Sequence, residues 1–155
     1  MIKTYNYTDN TQLSPHFNAQ EFRCKCGKAH DFQIDDDLIT KLEALYAALN
    51  CSKIIVTSGF RCAAHDKAVK GSGTGQHTRG KAADICCYGQ DGQPISSKTV
   101  CCKAQDIGFG GIAISLPPTS IRTSMRVPAE SGTVMRFTAT ALSRMISINT
   151  SEVRI

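Results

Sequence analysis

The sequence predicts an α+β domain: a small, mostly antiparallel sheet flanked by helices. Two observations point there. A long amphipathic helical stretch comes early, and short apolar runs bounded by turns come later. At 155 residues the chain is the size of one ordinary domain, which buries about two thirds of its unfolded surface around a single core.

The elements follow in order. In "LSPHFNAQEF", Ser14 is a suitable N-cap, Pro15 suits a first helical position, and Phe17 and Phe22 are apolar, so a short helix is expected there. In "DDDLITKLEALYAALN", Asp35 to Asp37 sit where a helix dipole favours anions, and Leu38, Ile39, Leu42, Leu45, Tyr46 and Leu49 recur at helical spacing. "KIIVTSGFR" reads as a buried strand from Ile54 to Thr57, ending in a turn that sets Ser58 and Arg61 at its exit. "CAAHDKAVK" reads as a short helix stopped by the glycine-rich "GSGTG". "KAADICCY" is a second strand, "SSKTVCCKAQDIG" a helix capped at Gly108, and "GGIAIS" a third strand.

Composition narrows the function classes. The 18 basic and 13 acidic residues give a net charge of +5, which suits an anionic polymer without choosing between cell wall and nucleic acid. There is no Trp and no stacking platform, so nucleic acid is not the expected partner. The N-terminal stretch has no apolar signal region and no run long enough to span a membrane. A soluble monomer, cytoplasmic at synthesis, is therefore expected. Two of the four cysteine pairs are adjacent in sequence, a poor disulfide framework, so most of the eight cysteines read as small buried hydrophobes. "CKCGKAH" (Cys24, Cys26, His30) also has the residue types of a small structural zinc loop, with a spacing tighter than usual. It leaves open a cysteine-rich zinc-binding interaction domain.

The chemistry is concentrated in "GQHTRGKAADI". His77 leaves a glycine-rich loop and Asp84 sits in a strand, and the segment between them can fold back to bring both to one ion, with Gly80 and two alanines leaving room. Alone, the pair is weak evidence, because a histidine seven residues from an aspartate is more often incidental. Its setting adds more: "SPHFNAQEF", a long helix, "VTSGFR", "GSGTGQHTRGKAADI" and "GFGGIAI", in that order over residues 13 to 115, resemble the zinc D-Ala-D-Ala carboxypeptidase and L-alanyl-D-glutamate peptidase family. These enzymes cut peptidoglycan stem peptides on the Hedgehog/DD-peptidase fold.

The resemblance implies a bound Zn2+ with His77 and Asp84 as ligands. It implies that Arg61 holds a substrate carboxylate or polarised carbonyl, which suits a forked guanidinium, and that Ser58 orients the turn or touches substrate. His16 and His65 read as structural. The implied reaction is metal-assisted hydrolysis of a wall peptide by an enzyme of the phage-lysis kind, with the cell wall as its place of action. The alternative is a non-catalytic wall-peptide-binding module using the same cleft.

The chain departs from the family pattern at one point. The family takes its third zinc ligand from a His-x-Asp or His-x-His element on the strand after "GGIAI", and this chain has no histidine after His77. The texture also changes after Ser115: twelve Ser or Thr and five Arg in forty residues, with no Lys, Cys, His or Asp, against ten Lys and three Arg before it. Residues 1–115 therefore read as an incomplete peptidase-like domain, and 116–155 as an atypical, poorly ordered tail. Read across codon boundaries, Pro118 to Met125 permits Asn-Ile-His-Thr-Asp-Val-His, which is the family's strand in a shifted frame. The encoding DNA is expected to yield that strand once one or two bases are restored near Ser115. A stop codon ahead of the histidine in the shifted frame would rule this out.

Overall fold

The computed structural model describes residues 1–115 together with a strand at 122–126; the rest of the expected tail lies outside the described residues. The strands are β1 (Ile2–Tyr5), β2 (Gln12–Ser14), β3 (Phe17–Asn18), β4 (Phe32–Asp35), β5 (Lys53–Ser58), β6 (Ala82–Tyr88), β7 (Gly111–Ser115) and β8 (Arg122–Arg126). The helices are α1 (Asp36–Ala48), α2 (Ala63–Ala68) and α3 (Ser97–Ile107). The main sheet runs β5-β6-β8-β7 with every pairing antiparallel, and two-stranded ribbons join β1 to β4 and β2 to β3. The α+β class with short antiparallel sheets is therefore the observed one.

The helix period of α1 sets the core. Leu38, Leu42 and Leu45 are almost wholly buried, and they pack with Phe17, Phe22, Phe32, Ile34, Ile54, Val56 and Ile85 in one cluster. α3 packs on α1 and adds Val100 and Ala104 to that cluster. It starts at Ser96, whose hydroxyl accepts from the Thr99 N–H at 3.2 Å, and ends at Gly108 with φ of 85°. Cys51, Cys87 and Cys101 are buried as expected. Burial raises all three thiols, Cys101 to about 11, so they behave as hydrophobes rather than nucleophiles.

Two local expectations are corrected. No helix starts at Ser14. That residue closes β2, a turn at Pro15 and His16 leads into β3, and the helical turn is a 3₁₀ element at Ala19–Phe22. Its N-cap is Asn18, in a capping box with Glu21 that satisfies donors on both sides, so Asn18 and not Ser14 holds the start. His16 instead stacks on Tyr46 and pairs with Glu43 at 2.7 Å, which fixes the β2–β3 turn against α1. Asp35 also does more than favour a dipole: it ends β4, caps α1 through the Asp37 N–H at 3.2 Å, and lies 3.5 Å from Lys81.

Burial alone would raise the Asp35 carboxyl, but the Asp37 N–H, the N-terminal ammonium and Lys81 together hold it below the ordinary carboxylate range. A depressed folded-state pKa stabilises the fold at pH above the unfolded value of about 3.9 and loses that effect as pH falls through the lower folded value. Urea midpoints compared across pH are expected to show Asp35→Asn less stable than wild type at neutral pH. That gap is expected to close below about pH 3.9.

Candidate functional site

The site forms where β5 ends and β6 begins. Their register shifts between Val56 and Ser58, a bulge that sets Ser58 opposite Asp84. Thr57 Oγ1 donates to the Asp84 carbonyl at 3.1 Å and anchors the distorted end. The following turn is pinned by backbone bonds at both sides: Phe60 N–H donates to the Phe22 carbonyl at 2.7 Å, and Arg61 N–H to the His77 carbonyl at 3.2 Å. Gly59 is obligatory in this packing, because a Cβ there would lie 2.5 Å from the Phe22 Cα.

His77 begins a 3₁₀ turn, His77–Arg79, and is buried. Its Nδ1 lies 2.7 Å from the Gly59 carbonyl oxygen, which only accepts, so Nδ1 carries a proton and donates. Nε2 faces Asp84 Oδ1 at 3.4 Å. The other Asp84 oxygen, Oδ2, takes a very short contact from an Arg61 terminal nitrogen. Arg61 Nε donates to Ser58 Oγ at 2.8 Å, and its other terminal nitrogen reaches Asp66 Oδ1 at 3.5 Å. The four residues named from sequence, Ser58, Arg61, His77 and Asp84, thus converge on one strand mouth.

Asp66 was missed by sequence reading. It lies on α2, is buried, accepts from the Gly73 N–H at 2.9 Å, and sits so close to Gly71 that a Cβ there would come within 2.2 Å of its carboxylate. The available signal was a lone acidic residue in a short helix directly before a glycine loop, which is too common to single out. His65, three residues from Cys62, offers its N–H to the Cys62 sulfur at 3.4 Å. Cys24, Cys26 and His30 gather with Cys62 in a second group that shares no ligand atom with the first.

The donor set at the strand mouth fits zinc as far as it goes. Two ligands bound at 2.0 to 2.2 Å to a tetrahedral ion stand about 3.4 Å apart, and His77 Nε2 and Asp84 Oδ1 have that separation. The Gly59 carbonyl on Nδ1 is the usual outer partner of a metal-binding imidazole. Among the described residues no further histidine joins them. His16 is held by Glu43 and His30 by the cysteine group.

His77 and Asp84 thus stand at metal-ligand separation, with Arg61 on the same carboxylate. The Peptidase M15 family model matches residues 15–115, and the chain belongs to that family, whose peptidases depend on zinc. No curated protein matches the chain. Among the described residues no helix is long and apolar enough to cross a membrane.

Gly80 has a different task from the one its sequence position suggested. It does not make room between His77 and Asp84: with φ of 68°, it rests against β4, where a Cβ would lie 2.3 Å from the Gln33 carbonyl oxygen. Its own carbonyl accepts from Asp35 N–H at 2.9 Å. Gly80→Ala is expected to cost about 1–3 kcal/mol for the backbone conformation, plus a steric cost against β4. Gly92→Ala, at φ of 74° with open space around it, is expected to lose only the conformational part. Equal urea midpoints for the two variants would contradict the docking role.

Proposed function

We propose that this chain is a zinc-peptidase-type protein directed at peptidoglycan stem peptides, of the D-Ala-D-Ala carboxypeptidase or L-alanyl-D-glutamate endopeptidase kind. The reading rests on one observation above the others: the 3.4 Å approach of His77 Nε2 to Asp84 Oδ1, with Nδ1 already committed to a backbone carbonyl. His77 and Asp84 would hold the metal. When bound, zinc supplies Lewis acidity and a water made acidic enough to ionise near neutral pH.

The protein's own groups do the rest. Arg61 steadies Asp84 through Oδ2 and is itself steadied by Ser58 and Asp66. These contacts use one N–H from each of its three nitrogens, and a guanidinium has five donors. The two N–H groups outside these contacts suit the carboxylate or carbonyl of a wall peptide. Ser58 positions Arg61 by accepting from Nε, and its hydroxyl proton is left to donate elsewhere.

A second reading has its own support. With two protein ligands instead of the three that catalytic zinc sites use, the same cleft serves a non-catalytic module that binds wall peptides through Arg61. Zinc at the strand mouth is expected to be weak and readily lost to chelator, and to disappear in His77→Ala. Purified sacculi incubated with the zinc-loaded protein, with fragments read by mass spectrometry, are expected to show little release of alanine or of L-alanyl-cleaved peptides. Sacculus binding is expected to fall at least tenfold in Arg61→Ala. Tight zinc at His77 with vigorous hydrolysis would overturn the two-ligand account, and unchanged sacculus binding in Arg61→Ala would overturn the role of the arginine.

A further inference from the structure

A second cluster of metal-binding atoms lies outside the strand mouth. The sulfurs of Cys24, Cys26 and Cys62 and a ring nitrogen of His30 all lie within 4.8 Å of one another. Around a tetrahedral zinc, sulfurs bound at 2.3 Å stand about 3.8 Å apart, so the group needs only a small contraction to close on one ion. Cys26 Sγ is already 3.2 Å from His30 Nε2. His30 Nδ1 lies 2.8 Å from the Asp31 carbonyl oxygen and donates to it, which leaves Nε2 as the ligand nitrogen.

The local structure is built for this convergence. Cys24 and Cys26 follow the 3₁₀ turn at Ala19–Phe22, and Gly27 takes φ of 78° immediately after them, so the chain doubles back toward His30. Cys62 comes from far along the chain, as the N-cap of α2. Two backbone donors point at the sulfurs: Cys62 N–H reaches Cys24 Sγ at 3.3 Å, and His65 N–H reaches Cys62 Sγ at 3.4 Å. N–H groups aimed at sulfur stabilise a thiolate more than a thiol. All three cysteines are free thiols. Lys25, between the first two, reaches past them to the carbonyls of Val56 and Thr57 at 3.3 and 2.8 Å, which ties the same loop to the end of β5.

We propose that Cys24, Cys26, His30 and Cys62 form a structural zinc site, distinct from the His77–Asp84 pair, that clamps the loop after Phe22 to the turn carrying Arg61. Four protein ligands of the Cys₃His type close the coordination shell, which marks a structural and not a catalytic site. Each thiol gives up its proton on binding, so three thiolates meet the dication. Cys62 directly follows Arg61, and the edge of the Phe60 ring meets His30 at 6.2 Å between centroids. Metal binding therefore fixes both residues of the turn that backs the strand mouth. A zinc loop of Cys24, Cys26 and His30 alone lacked its fourth ligand in the sequence, because Cys62 stands thirty-two residues beyond His30.

The test uses the full chain, purified reduced and metal-free, and titrated with Co2+ and then with Zn2+. Cobalt is expected to bind at one equivalent with an intense thiolate-to-metal band, and zinc to displace it. Zinc is also expected to raise the thermal midpoint of wild type. His77→Ala is expected to keep the band, which separates this site from the strand-mouth reading, and Cys102→Ser, at an exposed position on α3, is expected to keep it too. Cys62→Ser is expected to weaken cobalt binding at least tenfold, and His30→Cys, which restores a four-ligand shell, to retain it if Cys62→Ser proves too unstable to titrate. Absence of a thiolate band in wild type, or an unchanged band in Cys62→Ser, would overturn the proposal.

Discussion

Asp84 holds His77 and Arg61 with one carboxylate, and the strand mouth depends on how its oxygens are divided between them. Oδ1 faces His77 and Oδ2 takes the Arg61 guanidinium. The division gives the carboxylate a fixed orientation, and it keeps a strong cation next to a group that would otherwise be costly to hold partly buried. Arg61 is in turn shared with Asp66 and Ser58. Losing Asp84 would therefore leave the Arg61 guanidinium and the His77 imidazole without their common partner.

Close backbone approaches hold this arrangement in place. The turn at Gly59 docks on Phe22, and the turn at Gly80 docks on Gln33, each at a separation that no side chain fits. Asp35 joins the second contact to α1: its N–H bonds to Gly80 and its carboxylate caps the helix and meets Lys81. The hydrophobic core under α1 thus reaches the site through β4 and the loop after His77. The cysteine cluster braces the Arg61 turn from the loop after Phe22. The short turn from Ser58 to Cys62 is held by Phe22, by the His77 carbonyl and by Cys24.

How much of this the sequence revealed follows from how local each signal was. α1, α3, β5, β6 and β7 were legible because their apolar periods and caps lie within the elements themselves. The helix expected at Ser14 failed because the cap geometry at Asn18 and the pairing of β2 with β3 outweighed a plausible Ser-Pro start. β1 and β4 were invisible, since Ile2–Tyr5 is mostly exposed and finds its partner some thirty residues away. At the site, Ser58, Arg61, His77 and Asp84 stood out by spacing and by likeness to a family. Asp66 and Cys62 did not, because each acquires meaning only when α2 folds against the strand mouth or the cysteine loop. β8 pairs with β6 so that position 124 lies opposite Asp84, and no histidine stands on that strand.

The most direct test is an anomalous-diffraction map at the zinc edge from crystals of the zinc-soaked full chain. It should show a peak about 2.0 to 2.2 Å from both His77 Nε2 and an Asp84 oxygen, with Arg61 still bonded to the other oxygen. A map with no density at that place, and Asp84 still lying between His77 and Arg61, would contradict the account and leave the pair as a structural contact.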